Sequence, residues 1–239
     1  MILSPINLGF AGGNNLGIKA ASGDYLFFVN SDIVIPKGTI QILLSTFAEY
    51  KNIGIISPKF YVYNQPNMLD YAGCSKINFI TGRGRIRGFE TIDKGLYDIP
   101  SETHYCHGGG MMIHNSLIEK VGLIPDPYFL YYEEMEWCEK IHRAGYKVFY
   151  QPKATLLHKV STSIGSSSTT KTYYMTRNRI LFMRRNRPTY IWVIFFLYFI
   201  IISIPKNVIY FLVKAQFKHL KYFLWAIIWN IGYKLEPKF

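Results

Sequence analysis

The chain changes character after residue 170: residues 171–239 carry 12 Lys+Arg and one acidic residue, whereas residues 1–170 carry 15 against 14. The formal charge of +12 belongs almost wholly to the tail, so the two stretches cannot be the same kind of folded body. Within the tail, Tyr190–Ile204 is a run of fifteen residues in which only Ser203 is not apolar. Pro205-Lys206-Asn207 interrupts it, and Val208–Val213 is apolar again. Phe217, Leu220, Tyr222, Phe223, Leu224, Trp225 and Trp229 then interleave with Lys214, Lys218 and Lys221. Aromatics and lysines beside an apolar run are what a membrane interface selects. Fifteen helical residues reach about 22 Å, short of a hydrocarbon core of roughly 30 Å. Continuing through Pro205 to Val213 reaches far enough, but takes Lys206 inside unless it snorkels. Spanning the bilayer and lying in its interface therefore both stay open. The basic flanks place the body at the cytoplasmic face of the cell membrane. A nucleic-acid partner is not expected, because the basic residues sit among apolar runs and not on a polar face.

The body reads as α/β. Tyr25–Val29 is a continuous apolar run between Gly23-Asp24 and Asn30-Ser31-Asp32, as in a strand buried on both faces. After Pro36, Ile40, Leu43, Leu44 and Phe47 recur at helical spacing, and Ile53–Ser57 before Pro58 is a second strand. Residues 60–105 mix Tyr, Gly and Arg and read as hairpins and loops over the sheet's carboxyl edge. A short helix is expected from Asn115 to Val121, a clearer one from Glu133 to Ala144 stopped by Gly145, and a strand over Lys147–Gln151 before Pro152. The organisation predicted is a partial catalytic domain over 1–160, a Ser/Thr-rich loop over 161–172, and a membrane-associated helical region over 173–239. Cys74, Cys106 and Cys138 are odd in number and in no paired spacing, which predicts reduced thiols in a cytosolic setting. The N-terminus lacks a basic segment followed by a long apolar core, so no signal peptide is expected.

Several residues could carry chemistry. Asn30-Ser31-Asp32 follows a strand at the edge where open α/β sheets bind ligands, and Asp32 suits a hard divalent cation. Ordinary turn composition explains the same three residues equally well. The glycine-rich Asn7–Gly17 segment lets a backbone approach a ligand; alternatively it is a tight turn in which Asn14 or Asn15 caps the next helix. Glu133, Glu134 and Glu136 crowd one helical turn. Glu136 and Glu139 have Lys140 and Arg143 four residues on, as on a solvated face. Glu133 and Glu134 have Trp137 and Cys138 there instead, and Tyr131 and Tyr132 ahead of them would raise a carboxyl toward the range of a general base. His158 lies at an edge before the Ser/Thr-rich stretch. A zinc site of His104, Cys106 and His107 lacks matching ligands downstream. Arg83, Arg85 and Arg87 alternate around glycines, to meet phosphates or to solvate a hairpin.

In order along the chain these pieces resemble family 2 glycosyltransferases, and more narrowly the rhamnosyltransferase-like branch. The matching residues are Asn7 through Gly17, Gly23-Asp24-Tyr25 leading to Asn30-Ser31-Asp32, and Gly108-Gly109-Gly110-Met111-Met112-Ile113. Val121-Gly122-Leu123, Tyr132 through Trp137, Ala144-Gly145-Tyr146 and His158 complete the set. The resemblance implies a GT-A-like mixed sheet, a UDP- or dTDP-sugar donor, a divalent metal (Mg or Mn), and inverting transfer to the hydroxyl of a saccharide or lipid-linked acceptor. By position it implies donor binding by Gly12, Asn14, Asn15, Asn30, Ser31 and Asp32, and metal binding by Asp32 with His158. Glu134 falls on the base, with Glu133 as its partner, and Gly108, Gly109, Gly110 and Trp137 on the acceptor side. The family's early strand-helix units lie upstream of Asn7, so the resemblance predicts a fragment or a separate chain that supplies that half. A non-catalytic fragment or a membrane-surface binding protein is the alternative reading.

Overall fold

The computed structural model describes residues 1–159 and 168–233. They fall into two compact units. The first comprises Met1–Lys76, Gly84–Phe129 and Glu133–Ser161; the second comprises Ile77–Arg83, Leu130–Tyr132 and Thr162–Phe239. Sequence pattern alone places the boundary near residue 161 and misses the two short excursions, which carry no compositional mark.

The first unit is a mixed sheet of eight strands with helices on both faces. The strands are β1 (Tyr25–Val29), β2 (Ile33–Val34), β3 (Ile53–Val62), β4 (Met68–Tyr71), β5 (Thr91–Ile92), β6 (Ser101–Glu102), β7 (Gly110–His114) and β8 (Lys147–His158). The main path runs β1-β7-β3-β4-β5, with β8 beside β3 and also pairing β2 and β6. Only β3 and β8 run parallel; β1, expected in a parallel sheet, pairs β7 antiparallel along its whole length. Two strands outrun their sequence signals. β3 passes Pro58 and β8 passes Pro152, because the register slips between Pro58 and Lys59 and leaves Pro152 unmatched, where a missing N–H costs no ladder bond.

Helix α1 (Gly9–Ala20) absorbs the glycine-rich segment, which is therefore not a turn. Helix α2 (Thr39–Glu49) follows Pro36 as expected. Phe27 packs in the cluster of Leu43, Ile56, Met112 and Phe149, whereas the adjacent Phe28 meets the ring of Trp137 edge-on at 5.6 Å. Neighbouring strand residues point to opposite faces, so α2 covers one side of the sheet. The other side carries α3 (Leu117–Val121) and α4 (Glu133–Arg143), the latter through the fully buried stripe Trp137, Cys138 and Ile141. Gly54 permits that approach, since a Cβ there would stand 2.6 Å from Ile141. Gly145, at φ +83°, ends the helix.

In the second unit, α5 (Thr169–Asn186) starts inside the stretch expected to be a loop, and Ser168 Oγ caps it by accepting from Lys171 N–H at 3.1 Å. Residues 161–167 of that expected loop lie outside the described residues. Next come α6 (Thr189–Tyr198), a π turn over Phe199–Ser203, α7 (Ile204–Val213) and α8 (Phe217–Gly232). Pro205 does not interrupt the run: Thr189–Val213 is one continuous helical stretch of 25 residues. The wider π turn just before Pro205 removes the carbonyl that its ring would otherwise strike. Helix α8 is fastened to α5 by Asn230, which donates to Arg177 O at 3.1 Å, and by Arg184, which donates to Asn230 O at 2.8 Å. The Arg177 guanidinium also lies over the Trp229 ring at 4.3 Å.

Candidate active site

Three strand ends and one loop of the first unit deliver ionisable groups to one place. β1 ends in Asn30-Ser31-Asp32, and the β2–β8 pairing sets Ile33 opposite His158. That register brings Asp32 Oδ2 to 3.4 Å from His158 Nε2, while Lys159 N–H donates to Asp32 O at 2.8 Å. The second carboxylate is Asp70, which sequence reasoning did not single out. Phe60 pairs with Tyr71 and Tyr61 with Leu69, so the ladder skips Asp70 between them. Such a bulge re-aims a side chain, and here Asp70 Oδ2 lies 2.8 Å from His158 Nδ1. His107 Nε2 lies 3.8 Å from the same oxygen. Asp70, His107 and His158 thus offer ligand atoms within 4.8 Å of one another, a group suited to a metal ion.

Hydrogen bonding gives these groups different tasks. His107 Nδ1 accepts from Gly109 N–H at 3.0 Å, which leaves the ring proton on Nε2, toward Asp70. His158 Nδ1 lies 2.8 Å from Asp70 and Nε2 faces Asp32 at 3.4 Å; with its proton on Nδ1 the ring offers Nε2 to a cation, the arrangement by which a carboxylate orients a metal-ligating histidine. Asp32 Oδ1 is buried and has no hydrogen-bond partner among the described residues. A buried carboxylate oxygen left that way is costly unless a cation meets it, so the donor set fits a divalent ion held by Asp32 and His158. Burial pushes His107 down to about 4, so it is neutral near pH 7. The hydrogen bond to Asp70 raises His158 against the effect of burial. Burial alone would raise Asp70, but the His158 bond and the charge of His107 bring it below its ordinary value.

The Gly108-Gly109-Gly110 segment builds the wall of this site. Asn30 N–H donates to Gly109 O at 3.1 Å, joining the end of β1 to the His107 loop. A Cβ at Gly109 would stand 2.9 Å from His107 Nδ1, and one at Gly110 would strike Leu156. These glycines serve close packing, and Trp137, expected on the acceptor side, is a core residue whose Nε1–H donates to Gly122 O at 3.0 Å. Asn15, expected to bind donor or cap a helix, instead bonds the Ile124 main chain twice, at 2.8 and 3.0 Å. Asn14 donates to Phe10 O within α1 and caps no helix, and Gly12, expected to bind donor, lies inside α1 where a Cβ would stand 2.7 Å from Leu8 Cβ. Ser31 is exposed. A cavity of about 420 Å³ runs along β1, lined by Gly13, Asn14 and Gly17 of α1.

Glu134 opens α4, half-buried, and its charge helps raise the Cys106 thiol, after burial and the bond with Cys138. Glu133 is buried. Glu136 and Glu139 are also buried, not solvated as their spacing implied: Tyr128 Oη donates to Glu136, and His104 Nε2 lies 3.2 Å from Glu139. With His104 on Glu139, Cys106 against Cys138 and His107 toward Asp70, the three do not form a zinc site. The three cysteines are free and buried. Ahead of α4, Tyr131 and Tyr132 take φ of +70° and +76°, conformations that cost bulky residues energy and cluster at functional sites. Within the second unit Asn178 Nδ2 holds this turn, donating to Leu130 O at 2.7 Å and Tyr131 O at 2.8 Å.

Comparison with known proteins decides the family. The model of glycosyl transferase family 2 matches residues 1–122, just over half of the chain. The chain belongs to glycosyl transferase family 2. It is 30% identical over 152 residues to the low-salt glycan biosynthesis hexosyltransferase Agl10 of Haloferax volcanii, a match over 59% of this chain and 46% of that relative. It is 24% identical over 191 residues to the dTDP-rhamnosyl transferase RfbF of Shigella flexneri, over 75% of this chain and 61% of that one. The chain thus spans about half the length of the first of these relatives and less than two thirds of the second. Among solved structures, GalNAc-T7 with UDP, GalNAc and Mn²⁺ superposes with a TM-score of 0.53 at 14% identity, over 72% of this chain and 36% of that one. That likeness confirms the GT-A-like fold.

Proposed function

We propose that the protein transfers a sugar from a nucleotide-sugar donor to an acceptor hydroxyl, with inversion, in cell-surface polysaccharide or glycolipid synthesis. The observation that carries this reading is the meeting of Asp32 and His158, with Asp70 orienting the imidazole from behind. Asp32 and His158 would hold a divalent ion, Mg²⁺ or Mn²⁺. When bound, such an ion offsets the charge of a diphosphate leaving group. The donor would lie along the end of β1, with Asn30, Ser31 and the Gly12–Asn14 stretch of α1 nearby. A UDP- or dTDP-linked sugar fits the relatives' names, one of which is a dTDP-rhamnosyl transferase.

Glu134 would accept the proton of the acceptor hydroxyl as that oxygen bonds to the anomeric carbon from the side opposite the departing diphosphate. Its place in the first turn of α4 supports this role, with buried Glu133 as its neighbour. The second unit would hold the enzyme at the cytoplasmic face of the membrane, where a lipid-linked acceptor is presented. Thr189–Val213 has a mean hydropathy of 2.0 and is only 17% buried. At about 1.5 Å per residue such a helix exceeds a hydrocarbon core of roughly 30 Å.

Calorimetry on the full chain with UDP, dTDP and Mn²⁺ tests the reading. Nucleotide binding that requires Mn²⁺ and is lost in Asp32→Asn is expected. Equal binding with and without the ion would remove the metal-assisted mechanism.

A further inference from the structure

The arginines that follow Gly82 have no part in the mechanism above, yet one of them is built into the first unit with two of its nitrogens unpartnered among the described residues. Arg85, Arg87, Phe89, Thr91 and Tyr97 line a cavity of about 570 Å³. The Arg87 main chain pairs with β4's continuation, donating to Gly73 O at 2.8 Å and accepting from Ala72 N–H at 3.1 Å. Its guanidinium rests 5.5 Å from the Tyr150 ring centre and over Gly73, where any Cβ would collide with it. Nε and Nη2 are buried and have no hydrogen-bond partner among the described residues. Neighbouring carboxylates are committed elsewhere. Asp93 Oδ2 receives Lys59 Nζ at 2.8 Å and Tyr61 Oη at 2.6 Å, Asp93 Oδ1 receives Gly95 N–H, and Asp98 takes Lys59.

A guanidinium cannot shed its charge, and its planar fork matches carboxylate and phosphate oxygens. We propose that this cavity binds an anionic group, a carboxylate or phosphate carried by the acceptor saccharide. Arg87 is the fork, Arg85 is a second cation at the exposed rim, and Phe89 and Tyr97 are faces for a sugar ring. Naming the ligand an acceptor rests on the glycosyltransferase reading; the anion site itself does not.

Calorimetry on the full chain with methyl glucuronide, glucose 6-phosphate and methyl glucoside tests this. The two charged sugars are expected to bind at least about tenfold more tightly than the neutral one, and Arg87→Met to lose about that factor. The tighter of the two identifies uronate or phosphate as the group recognised. Mn²⁺-dependent UDP binding is expected to be unchanged in the variant. Because Arg87 is packed, Arg85→Ser at the exposed rim is a second probe, expected to weaken the charged sugars about threefold. Equal binding of neutral and charged sugars, or no loss in either variant, overturns the site. Charged-sugar binding without any UDP binding keeps the site and removes the glycosyltransferase reading.

Discussion

In the first unit, charged groups go inside and are met there: Lys59 by Asp93 and Asp98, Glu136 by Tyr128, His158 by Asp70 and Asp32. In the second, large apolar side chains go outside. Ile201, Ile209, Val213, Phe217 and Ile231 are each more than half exposed, on helices whose surface carries Lys206, Lys214, Lys218 and Lys221 and almost no acid. The second unit buries Arg177, Asn178 and Arg179 as well, so the two units differ in what they expose and not in what they bury. Burying polar groups is costly unless each finds a partner, so the first unit gains specificity from that arrangement. Leaving apolar surface in water is costly too, unless the surrounding medium is lipid.

The comparison can be broken most sharply at Asp32. Asp32→Asn is expected to reduce transfer by about 100- to 1,000-fold, the loss typical of removing one charge-stabilising group, with vesicle binding unchanged. A parallel fall in vesicle binding would show that the two halves do not act separately. The converse change, Ile201→Asp, adds about 3 kcal/mol to the cost of inserting a helix centre. Flotation with anionic liposomes is expected to lose the protein, while soluble nucleotide binding persists. Asp70→Asn is expected to weaken Mn²⁺ affinity about 10- to 100-fold, as loss of an orienting partner does. Titration of Mn²⁺ with UDP held saturating reads this, and an unchanged affinity would leave His158 orienting itself. Gly54→Ala forces a Cβ against Ile141 and is expected to cost about 1–3 kcal/mol in urea unfolding of the first unit. Finally, Lys218→Ala and Lys221→Ala are each expected to lower affinity for anionic vesicles by about 1 kcal/mol, an effect that disappears at high salt.

How legible this was in the sequence depends on the length of the signal. The apolar run of β1 and the stripe Trp137, Cys138 and Ile141 on α4 are local patterns, and both elements lie where the pattern puts them. Helix α1 was obscured because four glycines and three asparagines from Asn7 to Gly17 are poor helix formers. Tertiary bonds from Asn15 to Ile124 override that preference. Asp32 and His158 were readable because each sits at a strand end, and the register of β2 with β8 joins them. The resemblance alone places Trp137 on the acceptor side, while its helical spacing with Ile141 already marks the packed face on which it lies. Asp70 gave no signal: it lies in Met68–Tyr71, inside a stretch without periodicity, and its direction depends on a mismatch with a strand elsewhere in the chain.

That mismatch carries a consequence for how such a protein can change over time. Removing a single residue from the short segment around Asp70 would make the ladder between two neighbouring strands regular. The same deletion would leave the imidazole of His158 without the carboxylate that aims it. Selection for a regular sheet and selection for chemistry therefore pull in opposite directions at one position, and the irregular spacing persists only while the second outweighs the first.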